Sequence, residues 1–223
     1  MKPAAAALIA AGAGALALLA ARQVQAAPAA DGADTADPSR WSLADYFGAA
    51  TAGIAPSPDT SSAAAQNLAA FLMTIRRYES STDARAYSML YGRTQWTGPT
   101  TAHPAELGWA GVKLPADMCR RAGFSAGCVS TAAGAYQIIK PTWQRIARKL
   151  GLADFSARSQ DLAAIGLLDE SGALDAVRAG RFDLALGKVA HLWASMPGNT
   201  RGQASTSLAQ WRVTYQQQGG RLA

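Results

Sequence analysis

In the stretch RRYESS, residues 76–81, a single glutamate closes a run that otherwise has the spacing of an amphipathic helix. Leu68, Phe71, Leu72 and Ile75 fall at i, i+3, i+4 and i+7, and Glu79 lies four residues past Ile75 and eight past Phe71. On a 3.6-residue period Glu79 therefore shares the apolar face. Its carboxyl is either frayed into solvent or held at the edge of a core. In the second case burial and the negative helix C-terminus both raise its pKa. A carboxyl kept protonated at a cleft can donate to a glycosidic oxygen.

Glycosidases commonly use a second carboxylate. Asp83, Glu106 and Asp117 follow in the next forty residues, but spacing gives none of them a role beyond solvated surface charge. Other chemistries are excluded more firmly. His103 and His191 are the only histidines, and neither has a carboxylate or cysteine at metal-ligand spacing. His103, followed by proline, orders a loop; His191, beside Leu192 and Trp193, belongs to a packed or interfacial helix face. No serine carries the flanking glycines of a nucleophile elbow. Cys119 and Cys128 enclose a short glycine-containing loop and are expected to form a disulfide, which leaves no cysteine nucleophile.

The elements that must position Glu79 are mostly helical. A helix is expected from about 63 to 79. Residues 80–130 have no long helical period and carry Gly98-Pro99, His103-Pro104 and Leu114-Pro115, the pattern of a small irregular lobe with a short hairpin or two. Helices then follow in quick succession. AAGAYQII is expected as a short half-buried one. Pro141 opens PTWQRIARKL, with Trp143, Ile146, Ala147 and Leu150 on its apolar face and Gly151 as its stop. Ser156 or Ser159 caps SQDLAAIGLLDES. A helical turn is expected over 173–179, a helix over 182–193, and a last one from about 205 to 217. The fold class expected is α+β, mostly helical, with two lobes, the smaller containing β structure.

The 223-residue chain has room for one domain with a leader and a tether. Residues 1–26 begin with Lys2, continue as an Ala/Leu-rich core and end in small residues, as a secretory signal peptide does. The core is short and mostly alanine, which favours a cleaved leader over a retained anchor. Residues 27–64 are rich in Ala, Asp, Thr, Pro, Ser and Gly around one apolar island, WSLADYFGAA, and are expected as a tether with a short docking helix. The domain proper is 65–223. Loss of Lys2 and Arg22 with the leader lowers the formal net charge from +6 to +4. That modest excess suits anionic polymers, including cell-wall glycan. Without a dense basic stripe, a zinc-finger spacing or a phosphate loop, nucleic acid is not expected as a partner.

From about 71 to 220 the chain resembles the lambda-type phage endolysins, lytic transglycosylases of the lysozyme-like superfamily. The resemblance rests on FLMTIRRYES (71–80), AHP (102–104), STAAGAYQIIKPTW (130–143), KLGLADFSARSQDLAA (149–164), GAL (172–174) and LWASMPG (192–198), with the closing QQGG. It implies a lysozyme-like two-lobe domain. It also implies cleavage of the β-1,4 bond between N-acetylmuramic acid and N-acetylglucosamine in peptidoglycan, without a cofactor or metal. In that family one glutamate, aligned with Glu79, serves as acid and then base. The muramic C6 hydroxyl attacks C1 and leaves a 1,6-anhydro end, so no second carboxylate is required.

The same resemblance places Tyr136 and Gln137 at the family's YQ, as a sugar-stacking ring and an amide for an N-acetyl or hydroxyl group; a core role is the alternative for Tyr136. Ser130 and Thr131 become candidates for hydrogen bonds near the acid, and Tyr91 and Trp96 candidate sugar platforms, with ordinary lobe packing as the alternative. Trp143 is assigned to the core and Trp193 to support behind the cleft. The chain departs from the family at GAYQ, where Ala135 replaces an arginine, and at Arg76–Ser80, where Arg76 and Arg77 add charge and Tyr78 and Ser80 replace serine and glycine. The cysteine loop also looks inserted. The implied product is an exported monomer of the periplasm or cell exterior.

Overall fold

The computed structural model describes residues 63–199 and 206–223. The expected signal peptide (1–26) and all but the end of the expected tether (27–64) lie outside the described residues. Helix α1 (Ala63–Glu79) forms where the apolar period predicts it. Leu68, Phe71, Leu72 and Ile75 are all buried. Phe71 meets the edges of Phe182 and Tyr215 at centroid distances of 5.6 and 6.4 Å. Each such side chain contributes roughly 1.5–3 kcal/mol on leaving water.

The small lobe follows directly. Short 3-10 turns occupy Ala84–Ser88 and Pro104–Glu106. Strands β1 (Val112–Lys113) and β2 (Val129–Ser130) pair antiparallel, Val112 opposite Ser130 and Lys113 opposite Val129. Between them a six-residue helix, α2 (Ala116–Arg121), carries Cys119, and the Cys119–Cys128 disulfide is formed with the Cα atoms 5.8 Å apart.

Helices α3 (Lys140–Leu150), α4 (Ala157–Glu170), α5 (Leu174–Arg178), α6 (Phe182–Val189) and α7 (Leu208–Gln217) build the larger body. Their ends obey local rules. Pro141 sits in the first turn of α3, and Gly151 ends it in the left-handed region at φ +66°. Ser156 Oγ accepts from the Ser159 N–H at the start of α4. Ser207 and Gln210 form a reciprocal cap on α7. Helix α1 packs against α5 and α7, and α3 against α4. Among the described residues no helix is long and apolar enough to cross a membrane.

Three expectations are corrected. AAGAYQII is not a helix: it folds back on itself, with Ala133 bridged to both Leu90 and Ile138. The turn needs left-handed backbone at Gly134 (φ +78°) and Gln137 (φ +46°). Gly134 also admits Gln160, whose Oε1 would lie 2.1 Å from an added Cβ. Gly134→Ala is therefore expected to destabilise by about 1–3 kcal/mol from backbone strain alone, with the steric clash in addition; urea denaturation checks it, and an unchanged midpoint refutes this account of the turn. Second, the helix expected over 182–193 ends at Val189, because the Asn199 side chain takes the carbonyls of Ala190 and Trp193 and folds the chain into a turn. Third, His191 is exposed, not packed. His103 fits its expected role. It is fully buried, its Nδ1 accepts from Ala105 N–H and its Nε2 faces the Ile138 carbonyl at 3.0 Å, which fixes the proton on Nε2. Burial pulls its pKa below the ordinary value.

Candidate active site

Glu79 is the last residue of α1, half-buried at the point where the chain leaves the helical body for the small lobe. Desolvation pushes its pKa above the ordinary 4.5. The counterweight is Ser195: its Oγ donates to Glu79 Oε1 in a short contact, and its backbone adds a second bond, both favouring the charged form without overcoming burial. Ser195 lies in the turn 193–198, inside the WASMPG stretch.

Both segments are pinned. The buried Ser80 donates its Oγ to the Ala135 carbonyl at 2.7 Å, and Arg93 Nη1 reaches the Ser80 carbonyl at 3.3 Å. On the other side, Trp193 Nε1 donates to the Tyr136 carbonyl at 2.8 Å. Trp193 is thus buried support, as expected, and Trp143 is core, edge-on to Phe155 at 4.6 Å.

The expected substrate residues separate into two groups. Tyr136 is fully buried and its hydroxyl donates to Asp161 Oδ1 at 2.5 Å, which leaves no face for a sugar. Its role as a sugar-stacking ring is corrected to that of a core aromatic. Gln137 spends its amide N–H groups on the carbonyls of Met89 and Gly134, at 3.2 and 3.0 Å, and so holds its own turn. Ser130 Oγ accepts from Ala132 N–H at 3.3 Å. Thr131 Oγ1 accepts from Lys140 N–H at 3.0 Å and serves the first turn of α3. These bonds are local to β2 and the turn, and none of them reaches Glu79. Tyr91 and Trp96 are half-buried in the small lobe. Trp96 Nε1 donates to the Pro99 carbonyl at 2.9 Å, so what Trp96 can offer a ligand is a ring face, not a donor.

No carboxylate is among the groups that shift Glu79. Asp83 caps the first 3-10 turn and pairs with Arg85 at 2.7 Å; the Arg85 bonds hold it down at about 2. Glu106 accepts from the His103 N–H and from Gln144. Asp117 pairs with Arg121 one turn along α2.

Two further residues matter that spacing did not single out. Asp161, in the SQD stretch, is fully buried at the centre of the body, and desolvation raises it to about 7. Arg76, three before the acid, is also buried. Its position four after Leu72 on the apolar stripe was the available signal. Arg77 alone carries surface charge there. Two cavities, of about 380 and 340 Å3, lie between α3 and the 101–106 loop and beside Tyr78 and α7 respectively. Glu79 lines neither.

A helical body, a small two-stranded lobe and a desolvated glutamate at the end of the first long helix define a lysozyme-like protein. The structure of bacteriophage lambda lysozyme in complex with a chitohexasaccharide aligns with a TM-score of 0.58 at 26% identity, covering 71% of this chain and 96% of that one. A second structure of the lambda lysozyme gives 0.56 at 23% identity, a likeness of fold. The chain belongs to the Endolysin family, whose sequence model matches residues 69–222. It is 35% identical over 164 residues to the endolysin of Escherichia phage P2, covering 70% of this chain and 94% of that protein. To the endolysin of Escherichia phage lambda it is 35% identical over 91 residues, 41% of this chain and 58% of that protein.

Proposed function

We propose that this endolysin is a peptidoglycan lytic transglycosylase with Glu79 as its only acid and base. Protonated Glu79 donates to the glycosidic oxygen between N-acetylmuramic acid and N-acetylglucosamine, and the bond from that oxygen to C1 breaks. The resulting Glu79 carboxylate takes the proton of the muramic C6 hydroxyl as its oxygen bonds to C1. The products are a free N-acetylglucosamine hydroxyl and a 1,6-anhydro end, and the enzyme recovers its proton.

The observation that carries this reading is a desolvated carboxyl, held by one serine, with no carboxylate among its perturbing groups. A water-using muramidase commonly has a second carboxyl roughly 5–9.5 Å away; Asp83, Glu106 and Asp117 are engaged by Arg85, Gln144 and Arg121. The chitohexasaccharide bound by the lambda lysozyme supports a β-1,4-linked amino-sugar polymer as substrate. The half-buried rings of Tyr91 and Trp96 in the small lobe are its candidate platforms.

Mass spectrometry of digested sacculi tests activity and product together. Anhydro ends are expected. Ends reducible by borohydride would assign a hydrolase, and bound but undigested sacculi a non-catalytic wall-binding module. Residues 1–26 are proposed to direct export to the periplasm or beyond, with 27–64 tethering a monomeric domain. N-terminal sequencing of the mature protein should then start near residue 27, and Met1 at the mature terminus would refute export by cleavage.

A further inference from the structure

A buried polar path connects the two segments that hold Glu79, and its hub is Asp161. From α4, Asp161 accepts from Tyr136 at 2.5 Å and from Tyr87 at 3.0 and 3.1 Å. The Tyr136 arm continues through that residue's carbonyl to Trp193 Nε1, and Trp193 opens the turn that delivers Ser195 to Glu79. The Tyr87 arm continues to Arg76. Its Nη1 reaches the Tyr87 hydroxyl at 3.0 Å, and its guanidinium lies 4.6 Å from the ring centroid. Arg76 Nη2 then takes the carbonyls of Thr82 and Asp83, at 3.3 and 2.9 Å, in the segment that leaves the acid. The groups facing Asp161 are therefore Arg76 from α1, Tyr87 from the first 3-10 turn and Tyr136 from the turn before α3. The proposed reaction uses none of them.

We propose that Asp161 is a positioning residue for the acid: through Tyr136 and Trp193 it sets where Ser195 stands against Glu79, and through Tyr87 and Arg76 it fixes the chain that leaves Glu79. Both arms are closed by hydrogen bonds to a single carboxyl that two tyrosines and an arginine surround. A change there displaces the partner of Glu79 without touching substrate. The proposal rests on the reading of Glu79 as the acid, but its central readout is the titration of Glu79 itself, which is independent of turnover.

The test compares Asp161→Asn, Ser195→Ala and the double variant in the full-length protein. Soluble peptidoglycan fragments report kcat and KM, and carbon NMR of the labelled carboxyl reports the Glu79 titration. Because the Ser195 bonds favour ionised Glu79, Ser195→Ala raises its midpoint. Asp161→Asn should raise it in the same direction, lower kcat about tenfold or more and leave KM within about twofold, the size expected for losing a hydrogen bond to a charged group. The double variant should be no worse than the poorer single one, because both act through one contact. An unmoved Glu79 midpoint in Asp161→Asn, or additive losses in the double variant, overturns the proposal. If Asp161→Asn lacks a cooperative melt, Tyr136→Phe, which removes only the hydroxyl, carries the same expectations and the same refutations. A wild-type rate in Glu79→Gln would remove the acid assignment, whereas the NMR result would still decide whether Asp161 governs Ser195.

Discussion

Glu79→Gln is expected to lower the release of soluble wall fragments by about a thousandfold, within the range general acid–base catalysis supplies. The amide has nearly the shape of the protonated carboxyl and still accepts from Ser195 Oγ through its oxygen, so the fold and sacculus binding should persist. What disappears is the proton for the leaving oxygen and the base for the C6 hydroxyl. In the wild type the raised pKa keeps the carboxyl protonated at pH values where an ordinary glutamate is ionised. Because one group must begin protonated and finish as a base, the pH–rate profile should be bell-shaped and peak in mildly acidic solution. A flat profile from about pH 4 to 9, or turnover in the Gln variant within tenfold of wild type, would refute the assignment.

Asp161 gives the second large effect, on stability. Its folded-state pKa stands near 7 against 3.8 for the ordinary side chain, because burial disfavours the charged form more than the Tyr136 bond, Arg76 and the Tyr87 bond favour it. A group raised on folding contributes stability that is fully present below its unfolded pKa and is lost as pH rises through the folded one. The window is therefore about pH 4 to 7, and the loss across it is on the order of 4 kcal/mol. Glu79 acts in the same direction. The ion-paired carboxylates, such as Glu170 with Arg145 and Lys149, act oppositely and in more acid solution. The contribution of Asp161 is isolated by comparison with Asp161→Asn, which cannot ionise. Relative to that variant, the wild type is expected to lose stability between pH 4 and pH 8 in urea titrations, by on the order of 4 kcal/mol. Parallel stability curves for the two proteins between those values would show that Asp161 does not titrate in this window.

The two effects together explain why the charged interior lies where it does. Buried polar contacts near the acid join the small lobe to the helical body: Ser80 to Ala135, Trp193 to Tyr136, Gln160 to the Tyr87 carbonyl, and the Arg76–Tyr87–Asp161–Tyr136 path. Each is buried or half-buried, so each strengthens as water is excluded and costs most when a partner is lost. Ala135 illustrates the consequence for substitutions. It is a small buried residue whose backbone is fully engaged, its N–H by Gln160 and its carbonyl by Ser80.

By itself, the sequence determined the elements with a strong local code. The apolar stripe from Leu68 to Ile75, Pro141 and Gly151 around α3, the Ser156 cap and the closely spaced cysteines act within one or two turns of chain, so the local order of residues specifies them. The position of Glu79 on the buried face follows from the same helical period. Tertiary structure alone decided what has no local code. AAGAYQII has the composition of a helix, but Gln160 and Met89 hold it as a tight turn. Tyr136 became core because a carboxylate 25 residues away claims its hydroxyl. Ser195 became the partner of the acid from 116 residues away, and Arg76 turned inward while Arg77 stayed in water. A hydrogen bond between distant residues depends on where the packed helices place its two ends, and the periodicity of one strand of sequence carries no record of that.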